Sequence, residues 1–431
     1  MQKIALAAAC GLIWVGGAAA ADLAIYAEPS PSQPVSSSLA LAGFYVGLNI
    51  GNAFEGFEYT DNDFDPPETY DFAKDPLLYG FAVGYDAPVS GRWLLGAELR
   101  YDQLDAAFAP FSDAGLPTLF KMHSSTSVVA KVGYLTAPGT QVYGVLGYGS
   151  VAVEAEEGFD GWATGNVGGI VAGIGAETRL TDLLSASVDA RYFRGGSTFV
   201  TEDDEEFLPK YLLVTAGLKV RTGQPAADTE LASSQPYDFT GFSLGASLDG
   251  AVGSMVRTVS TPGAETGPFW SENVGAGVRA GFDGAFGDIF LAGIGATADF
   301  YHLPFYDPAQ DSPDVAGTTL FGTVESVFAL TGKLGVQVDP SAVLYAKAGF
   351  AAIYTTANED FFALDGGGTK VLPGYQVGIG LETALVDNWT LSVEGLYTEA
   401  LEGLTTENTQ LNQVALFPHL LTGNVGVNYR F

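Results

Sequence analysis

The C-terminal segment 421–431 alternates between apolar and polar residues and ends on an aromatic residue. Leu421, Val425, Val427, Tyr429 and Phe431 fall on one face, whereas threonine, asparagine and arginine side chains fall on the other. Because the side chains of a β-strand alternate between two faces, one side of this strand can lie in lipid and the other in water. Strands of transmembrane β-barrels alternate in this way, with polar residues toward the lumen. The segment therefore predicts an all-β, antiparallel transmembrane barrel.

Residues 1–21 predict a signal peptide for export. Lys3 supplies a positive charge, an apolar stretch follows, and small residues continue to Ala21, which is the order found in secretory signals. The only cysteine, Cys10, lies inside this segment, so the mature chain would hold neither a disulfide nor a thiolate metal site. No later segment has the roughly 18 uninterrupted apolar residues of a helical span. The cell outer membrane is the predicted location.

The chain is strongly acidic, with 18 Lys and Arg residues against 50 Asp and Glu residues and a net charge of −32. Nucleic acid binding needs a basic surface, so nucleic acid is excluded as a partner. Cations or cationic partners remain compatible with this charge.

Two copies of one plan fill most of the chain, at 43–221 and 241–431. The clearest match aligns 174–182 (IGAETRLTD) with 379–387 (IGLETALVD). Self-similarity of this length indicates an internal duplication. Residues 222–240, between the copies, are rich in Ala, Pro and Ser and predict a linker, and residues 22–42 before the first copy have a similar composition.

Each copy holds eight runs that predict strands, sixteen in all, joined by alternating short and long connections. Short periplasmic turns and long outer loops are typical of outer-membrane barrels. Two architectures fit this pattern: two consecutive eight-stranded barrels, or one sixteen-stranded barrel with a water-filled channel. The linker favours the tandem form, because a single barrel should join its eighth and ninth strands by a short turn.

The alternation turns an unusual number of charged residues into the predicted lumen. They are Glu98, Arg100, Asp102, Lys131, Glu177, Arg179, Asp189, Arg191, Lys219 and Arg221 in the first copy, and Arg279, Asp283, Asp299, Lys333, Lys347, Glu382, Glu394 and Arg430 in the second. The near balance of acids and bases favours mutual pairing, since an unpaired charge in a narrow lumen is costly. A structural plug is therefore favoured over an open, charged pore lining.

Excess acid is concentrated in the predicted outer loops. Segment 55–76 holds eight acids against one base, and 201–206 reads TEDDEE. Asp61, Asp63 and Asp65 resemble the start of a calcium loop, but Pro66 replaces the glycine that such a loop needs. A solvated acidic surface is the favoured interpretation, and no metal site is predicted.

The search for enzyme chemistry finds three histidines, His123, His302 and His419, each near the predicted outer end of a strand. No nucleophile elbow, zinc-protease or phosphate-binding motif is present. Gly-x-Gly pairs, as at Gly173 and Gly175, fall within strands, where they predict room for a facing large side chain rather than nucleotide binding.

Eight aromatic residues near strand ends point outward and predict the girdles that flank a membrane. They are Trp93, Tyr101, Tyr134, Tyr192, Trp389, Tyr397, Tyr429 and Phe431.

Short motifs make the chain similar to the outer-membrane immunogenic or hemin-binding porin-like family of small barrels. They are 20–23 (AADL) after the signal, the strand openings 42–47 (AGFYVG) and 240–245 (TGFSLG), and the ending 426–431 (GVNYRF). The resemblance implies single barrels of about eight strands. Some members are described as hemin binders, but no residue match brings that role here, so no cofactor is predicted. The aromatic terminus resembles the signal of the barrel assembly machinery, which becomes a predicted partner together with outer-membrane lipid and lipopolysaccharide; the oligomeric state stays open.

Three functions follow as hypotheses. A structural surface barrel with acidic loops predicts negligible conductance. A cation-preferring porin for small solutes, built as one sixteen-stranded barrel, predicts large and stable conductance steps. A rim enzyme, the least favoured, predicts loss of an activity on His302→Ala or His419→Ala.

Overall fold

The structure is a computed structural model whose described residues are 41–61, 68–108, 111–112, 120–157, 161–201, 206–222, 236–259, 265–307, 319–357, 368–406 and 414–431. The predicted signal peptide, most of 22–42, most of the linker and residues 62–65 of the calcium-like start lie outside these residues. Within them the secondary structure consists of strands, and no helix is long and apolar enough to cross a membrane.

Eleven strands form the first copy. They are β1 (Gly43–Asp61), β2 (Glu68–Lys74), β3 (Leu77–Ser90), β4 (Trp93–Phe108), β5 (Phe111–Ser112), β6 (Phe120–Ala137), β7 (Thr140–Glu157), β8 (Gly161–Arg179), β9 (Leu184–Gly195), β10 (Phe199–Val200) and β11 (Glu206–Arg221).

Nine strands form the second copy. They are β12 (Gly241–Val259), β13 (Glu265–Phe286), β14 (Phe290–Asp307), β15 (Thr319–Asp339), β16 (Ala342–Ala357), β17 (Thr369–Val386), β18 (Trp389–Ala400), β19 (Leu404–Thr406) and β20 (Val414–Arg430).

The described strands close two antiparallel rings of eight, which we call barrel 1 and barrel 2. In barrel 1 the ladder runs β1-β3-β4-β6-β7-β8-β9-β11 and returns to β1. In barrel 2 it runs β12 to β18, then β20, which pairs with β12. A single ring of sixteen would need ladders between β11 and β12 and between β1 and β20. Among the described strands, β11 pairs instead with β1 and β9, and β12 with β13 and β20. The all-β, antiparallel barrel class is confirmed.

Both rings have one end of short turns and one end of long connections. The long-connection ends of the strands extend further than the sequence suggests. The sequence predicts an outer loop over 55–76, but β1 continues to Asp61 and pairs with β2, so much of the acid of this segment lies on a hairpin. The hairpin is stabilised by cross-strand contacts such as Phe57 on Phe72, whose ring centroids are 5.2 Å apart.

Alternation along the strands places apolar side chains on the outer surface of each barrel and charged side chains in the lumen. On β4, Trp93, Leu95 and Leu99 are exposed on the outer surface, whereas Glu98 and Arg100 are buried in the lumen. The outer face of barrel 2 is similarly apolar, with Val274 and Phe350 exposed. This apolar belt would lie in lipid.

The barrels contact each other side by side through part of their outer faces. Ala176 and Val188 of barrel 1 are buried with Leu381 and Val393 of barrel 2 in one cluster. Nearer the long-connection end a second cluster joins outer-face residues of β1, β9 and β11 to those of β12, β13, β18 and β20. The Oγ1 atoms of Thr136 and Thr383 lie 2.8 Å apart near the short turns.

Two of the eight predicted girdle residues therefore have a different environment. Tyr192 and Tyr397 point outward as expected, but both belong to the cluster between the barrels. The Tyr192 hydroxyl donates to Glu272 at 2.9 Å and that of Tyr397 to Asp75 at 3.1 Å, both across the boundary between the copies. Apolar outward residues cannot show from sequence whether lipid or protein covers them.

Candidate functional site

Four charged residues, Asp86, Lys131, Glu177 and Arg221, form a quartet in the lumen of barrel 1 near its short turns. Lys131 donates to Asp86 at 2.8 Å, and Arg221 bridges Asp86 at 2.9 Å and Glu177 at 2.7 Å. Lys219 lies 3.2 Å from the same Glu177 carboxylate. All these side chains are buried. Their desolvation is offset because each charge has at least one partner of opposite sign.

Further from the short turns, barrel 1 holds a second layer of charge. Arg191 Nη2 lies 2.7 Å from Glu98 and 3.1 Å from Asp189. Tyrosine hydroxyls supply additional hydrogen bonds, from Tyr45 to Glu98 at 2.7 Å and from Tyr143 to Asp189 at 2.5 Å. Mixed ion pairs and hydroxyl donors satisfy most carboxylate oxygens here, which is what makes burial tolerable.

Barrel 2 repeats the quartet with equivalent residues. Lys333 donates to Asp283 at 2.8 Å, and Arg430 bridges Asp283 at 2.9 Å and Glu382 at 2.8 Å. In both barrels the arginine also donates from Nη1 to a backbone carbonyl just before the first strand, Leu41 for Arg221 and Phe239 for Arg430. The arginine of the last strand thus ties down the segment that enters the barrel.

The second layer of charge in barrel 2 has different ion pairs from that in barrel 1. Glu394, equivalent to Asp189, accepts from Lys347 at 2.9 Å, from Arg279 at 3.2 Å and from the Tyr345 hydroxyl at 2.6 Å. Lys347 and Arg279 thus occupy the role that Arg191 has in barrel 1.

The structure brings seventeen of the eighteen predicted lumenal charges into these two lumens. Arg179 is the exception: it lies at the short turn, where its guanidinium donates to the carbonyl oxygens of Thr181 and Asp182. The strand ends at Arg179, so the alternation of faces gives no lumenal direction beyond it.

Sequence reasoning missed Asp86, Asp249 and the lumenal tyrosines. The same period-two count could have found the aspartates, since Asp86 pairs with Gly43 on β1 and Asp249 lies on the face of Ser243 and Ser247.

Glycines opposite the tyrosines make room for their rings. A Cβ atom at Gly175 would lie 2.5 Å from Tyr143 Cζ, and one at Gly380 would lie 2.5 Å from Tyr345 Cζ. Gly-x-Gly pairs in this chain therefore have a packing role, as their location within strands predicts.

Aromatic side chains fill the rest of the barrel 1 lumen toward the long connections. The Phe57 ring centroid lies 4.7 Å from that of Phe120, which stacks on Phe207 at 5.0 Å. Phe72 and Phe108 complete this aromatic plug. In barrel 2, the corresponding half holds Phe269, Tyr301 and Phe305 together with aliphatic residues such as Leu303 and Ile353.

Barrel 2 retains a small internal cavity among its charges. It measures about 70 Å³ and is lined by residues including Arg279, Gly295, Thr297, Lys333 and Glu394. A water molecule takes about 30 Å³ of liquid, so the space suits water rather than a solute molecule.

The three histidines each lie beside a carboxylate near the long connections. His123 is 2.9 Å from Glu154, His302 is 2.9 Å from Glu325, and His419 is 3.7 Å from Asp75. His302 has a positive φ of 55° and lies at an irregularity of the β14–β15 ladder. No group of three or more His, Cys, Asp or Glu residues within the described ranges is arranged to hold a metal ion.

Closed antiparallel rings, an apolar outer belt and charged lumens define an outer-membrane β-barrel protein. Residues 12–248 match the family model of the outer membrane protein beta-barrel domain. The chain belongs to this family, and its location is the outer membrane.

Two relatives share the outer-membrane location in their names. The chain is 23% identical over 225 residues to the 31 kDa outer-membrane immunogenic protein of Brucella melitensis, which covers 48% of this chain and 93% of that protein. The protein of the same name from Brucella suis matches with the same identity and coverage. The named relatives are outer-membrane proteins, and the predicted resemblance to this family is confirmed.

Solved structures of outer-membrane barrels also resemble the chain. The attachment invasion locus protein Ail of Yersinia pestis is 13% identical with a TM-score of 0.26, covering 41% of this chain and 99% of that one. The toluene transporter TodX of Pseudomonas putida is 9% identical with a TM-score of 0.27, covering 92% of each chain. TM-scores this low support no inference about the function of this protein.

Proposed function

We propose that the chain is a structural, surface-exposed outer-membrane protein whose two barrels are closed by their own side chains. The observation that supports this most directly is the filling of barrel 1, where buried ion pairs occupy one half of the lumen and the aromatic plug the other. Small barrels of eight strands have interiors that side chains can fill. The proposed role is non-catalytic, and the acidic hairpin of β1 and β2 would face the outside.

Planar bilayers provide the test. The refolded full chain should give no stable conductance steps, and liposomes that contain it should not swell in small sugars. Flotation of the same liposomes, together with the change in gel migration on heating, controls for insertion and folding. Repeated, long-lived steps from wild-type protein would overturn the proposal.

A second candidate is conduction of small cations through barrel 2, which the 70 Å³ cavity favours. Gly295 lines this cavity and occupies the register position that Glu98 has in barrel 1, since each pairs with an equivalent glycine, Gly281 or Gly84. Gly295→Glu should fill the space. Any cation-selective current that this variant abolishes would support the second candidate over the first.

We also propose that 43–221 and 241–431 are separate barrel domains joined by 222–240. The two ring closures, β1 on β11 and β12 on β20, support this. A protease site inserted at 228 should allow cleavage into two fragments, each of which keeps its own heat-sensitive migration on gels. Loss of folded migration by both fragments after cleavage would contradict separate domains.

The proposed partners are lipid, lipopolysaccharide and, during biogenesis, the barrel assembly machinery. The apolar belt supports the first two and the exposed aromatic terminus the third.

A further inference from the structure

The two barrels differ at one level of the lumen, just beyond the shared charges. In barrel 1, Asp102 accepts hydrogen bonds from Arg100 Nε at 2.8 Å and Asn49 Nδ2 at 2.8 Å. Asp102 pairs with Gly80, and Gly80 pairs with Asn49. This carboxylate is therefore neutralised and fully engaged.

The same registers identify the equivalent residues of barrel 2. Asp299 pairs with Gly277, and Gly277 pairs with Ser247, so these three correspond to Asp102, Gly80 and Asn49. Thr297, two residues before Asp299, is equivalent to Arg100 of barrel 1. Asp249, two residues after Ser247, is equivalent to Gly51. Barrel 2 has thus lost the arginine and the amide and gained a second carboxylate.

Five of the oxygen atoms at this level make no hydrogen bond among the described residues. Both carboxylate oxygens of Asp249, Oδ2 of Asp299, Oγ of Ser247 and Oγ1 of Thr297 are buried without a hydrogen bond. Ser247, Asp249 and Asp299 are 5%, 1% and 2% exposed. Burial of polar groups without partners is costly, so the arrangement indicates a missing partner.

One oxygen from each of Asp299, Ser247 and Asp249 lies over Gly277. A Cβ atom built there would lie 2.2 Å from Asp299 Oδ1, 2.6 Å from Ser247 Oγ and 3.2 Å from Asp249 Oδ2. The nearby bases have a carboxylate partner of their own, since Nη1 of Arg279 and Nζ of Lys347 both pair with Glu394. Nε of Arg279 makes no hydrogen bond to any residue that the structure describes. Two ionised carboxylates with oxygens within 3.2 Å of one point repel each other unless a proton or a cation neutralises them.

We propose that Ser247, Asp249, Thr297 and Asp299 form an oxygen-only site for a hard divalent cation in the lumen of barrel 2, with Ca²⁺ as the best match. Two carboxylates balance the charge of the ion, and the hydroxyls and water complete a shell of six to eight oxygens. Carboxylate and hydroxyl ligands do not select the softer transition metals. Mg²⁺ demands a stricter octahedron, which makes it the useful comparator.

Calorimetric titration of Ca²⁺ into chelator-treated, refolded full chain tests the site. We expect saturable binding that raises the unfolding temperature, since the ion binds the folded barrel only. Asp249→Asn and Asp299→Asn should each weaken the affinity by at least about tenfold. Asp182→Asn, which removes an exposed acid at a short turn, is the matched control and should leave the affinity unchanged.

The duplication supplies a sharper variant. Ser247→Asn, Asp249→Gly and Thr297→Arg together rebuild the arrangement of barrel 1, so the protein should fold, keep its heat-sensitive migration and lose the site. Persistence of Ca²⁺ binding in this variant would assign the ion to the acidic surface and overturn the proposal. A second result would also overturn the proposal: the wild type does not bind Ca²⁺, and Asp249→Asn has a higher unfolding temperature than the wild type. Asp249 and Asp299 would then share a proton instead of a metal ion. Neither result depends on whether the barrels conduct.

Discussion

Glu177 is the carboxylate on which most bases of the barrel 1 lumen converge, with Arg221 at 2.7 Å, Lys219 at 3.2 Å and Lys131 at 3.6 Å. Its equivalent, Glu382, meets Arg430 and Lys333. The two copies share the ion pairs of this glutamate with equivalent arginine and lysine residues, whereas the second layer of charge differs between them. Substitutions at these positions should therefore act similarly in the two barrels.

Glu177→Gln should destabilise barrel 1 by about 3–5 kcal/mol, because it leaves buried bases without their counter-charge. Urea unfolding followed by gel migration measures this. Glu382→Gln should produce a comparable loss in barrel 2, whereas Asp182→Asn, whose side chain is fully exposed, should be near neutral. An equal response to Glu177→Gln and Asp182→Asn would contradict the buried network.

Gly175→Ala should cost about 1–3 kcal/mol, since the new methyl group would overlap the Tyr143 ring. The neighbouring Gly144→Ala is the control: its Cβ would meet nothing closer than 3.9 Å. In a double-mutant cycle, Tyr143→Ala should remove most of the Gly175→Ala penalty. Strict additivity of the two changes would argue against ring–glycine packing.

Among the elements, the strands divide into a predictable and an unpredictable part. Alternation on β4 and β20 identifies the lumenal face because lipid and water impose opposite requirements on neighbouring residues. The extension of β1 past residue 54 could not be read this way, since it depends on distant partners such as Phe72 and Phe207. The same holds for the proposed cation site. The sequence assigns its charges to the lumen, but only the register of β13 and β14 in the structure shows that Asp299 pairs with Gly277.

The end of β20 permits a prediction about assembly. Phe431 is 69% exposed, and its ring lies against outward rings such as Phe242, at 5.7 Å between centroids. Phe431→Ser should reduce the amount of folded protein in the outer membrane of living cells, yet leave refolding in detergent unchanged. Phe242→Ser removes the same ring contact without altering the terminus and should assemble normally. Equal losses of folded protein in the two variants would show that Phe431 acts through packing of its ring and not as an assembly signal.

For the whole molecule, the defining feature is the contact between the barrels, which depends on small residues. A Cβ at Gly395 would lie 1.9 Å from Val214 Cγ1, and one at Gly423 would lie 2.3 Å from Ala190 Cβ. Small residues allow close approach of segments within a membrane.

Cysteine cross-linking tests this contact. In a Cys10→Ser background, Thr136→Cys with Thr383→Cys should oxidise to a disulfide, since the wild-type hydroxyl oxygens are 2.8 Å apart. Adding Gly395→Leu and Gly423→Leu should slow the reaction by forcing the barrels apart. Thr140→Cys with Thr178→Cys, also 2.8 Å apart but within barrel 1, should form its disulfide at an unchanged rate. Undiminished cross-linking of the first pair in the leucine variants would refute the contact.

The covalent connection between the rings has a thermodynamic consequence. Inside a bilayer, water does not drive two apolar walls together, so contacts such as Gly395 on Val214 act through fit alone and are individually weak. Two free barrels with such walls would drift apart at ordinary membrane densities. A tether of residues 222–240 makes their encounter intramolecular and gives it a high effective concentration, so that a marginal fit suffices for lasting association.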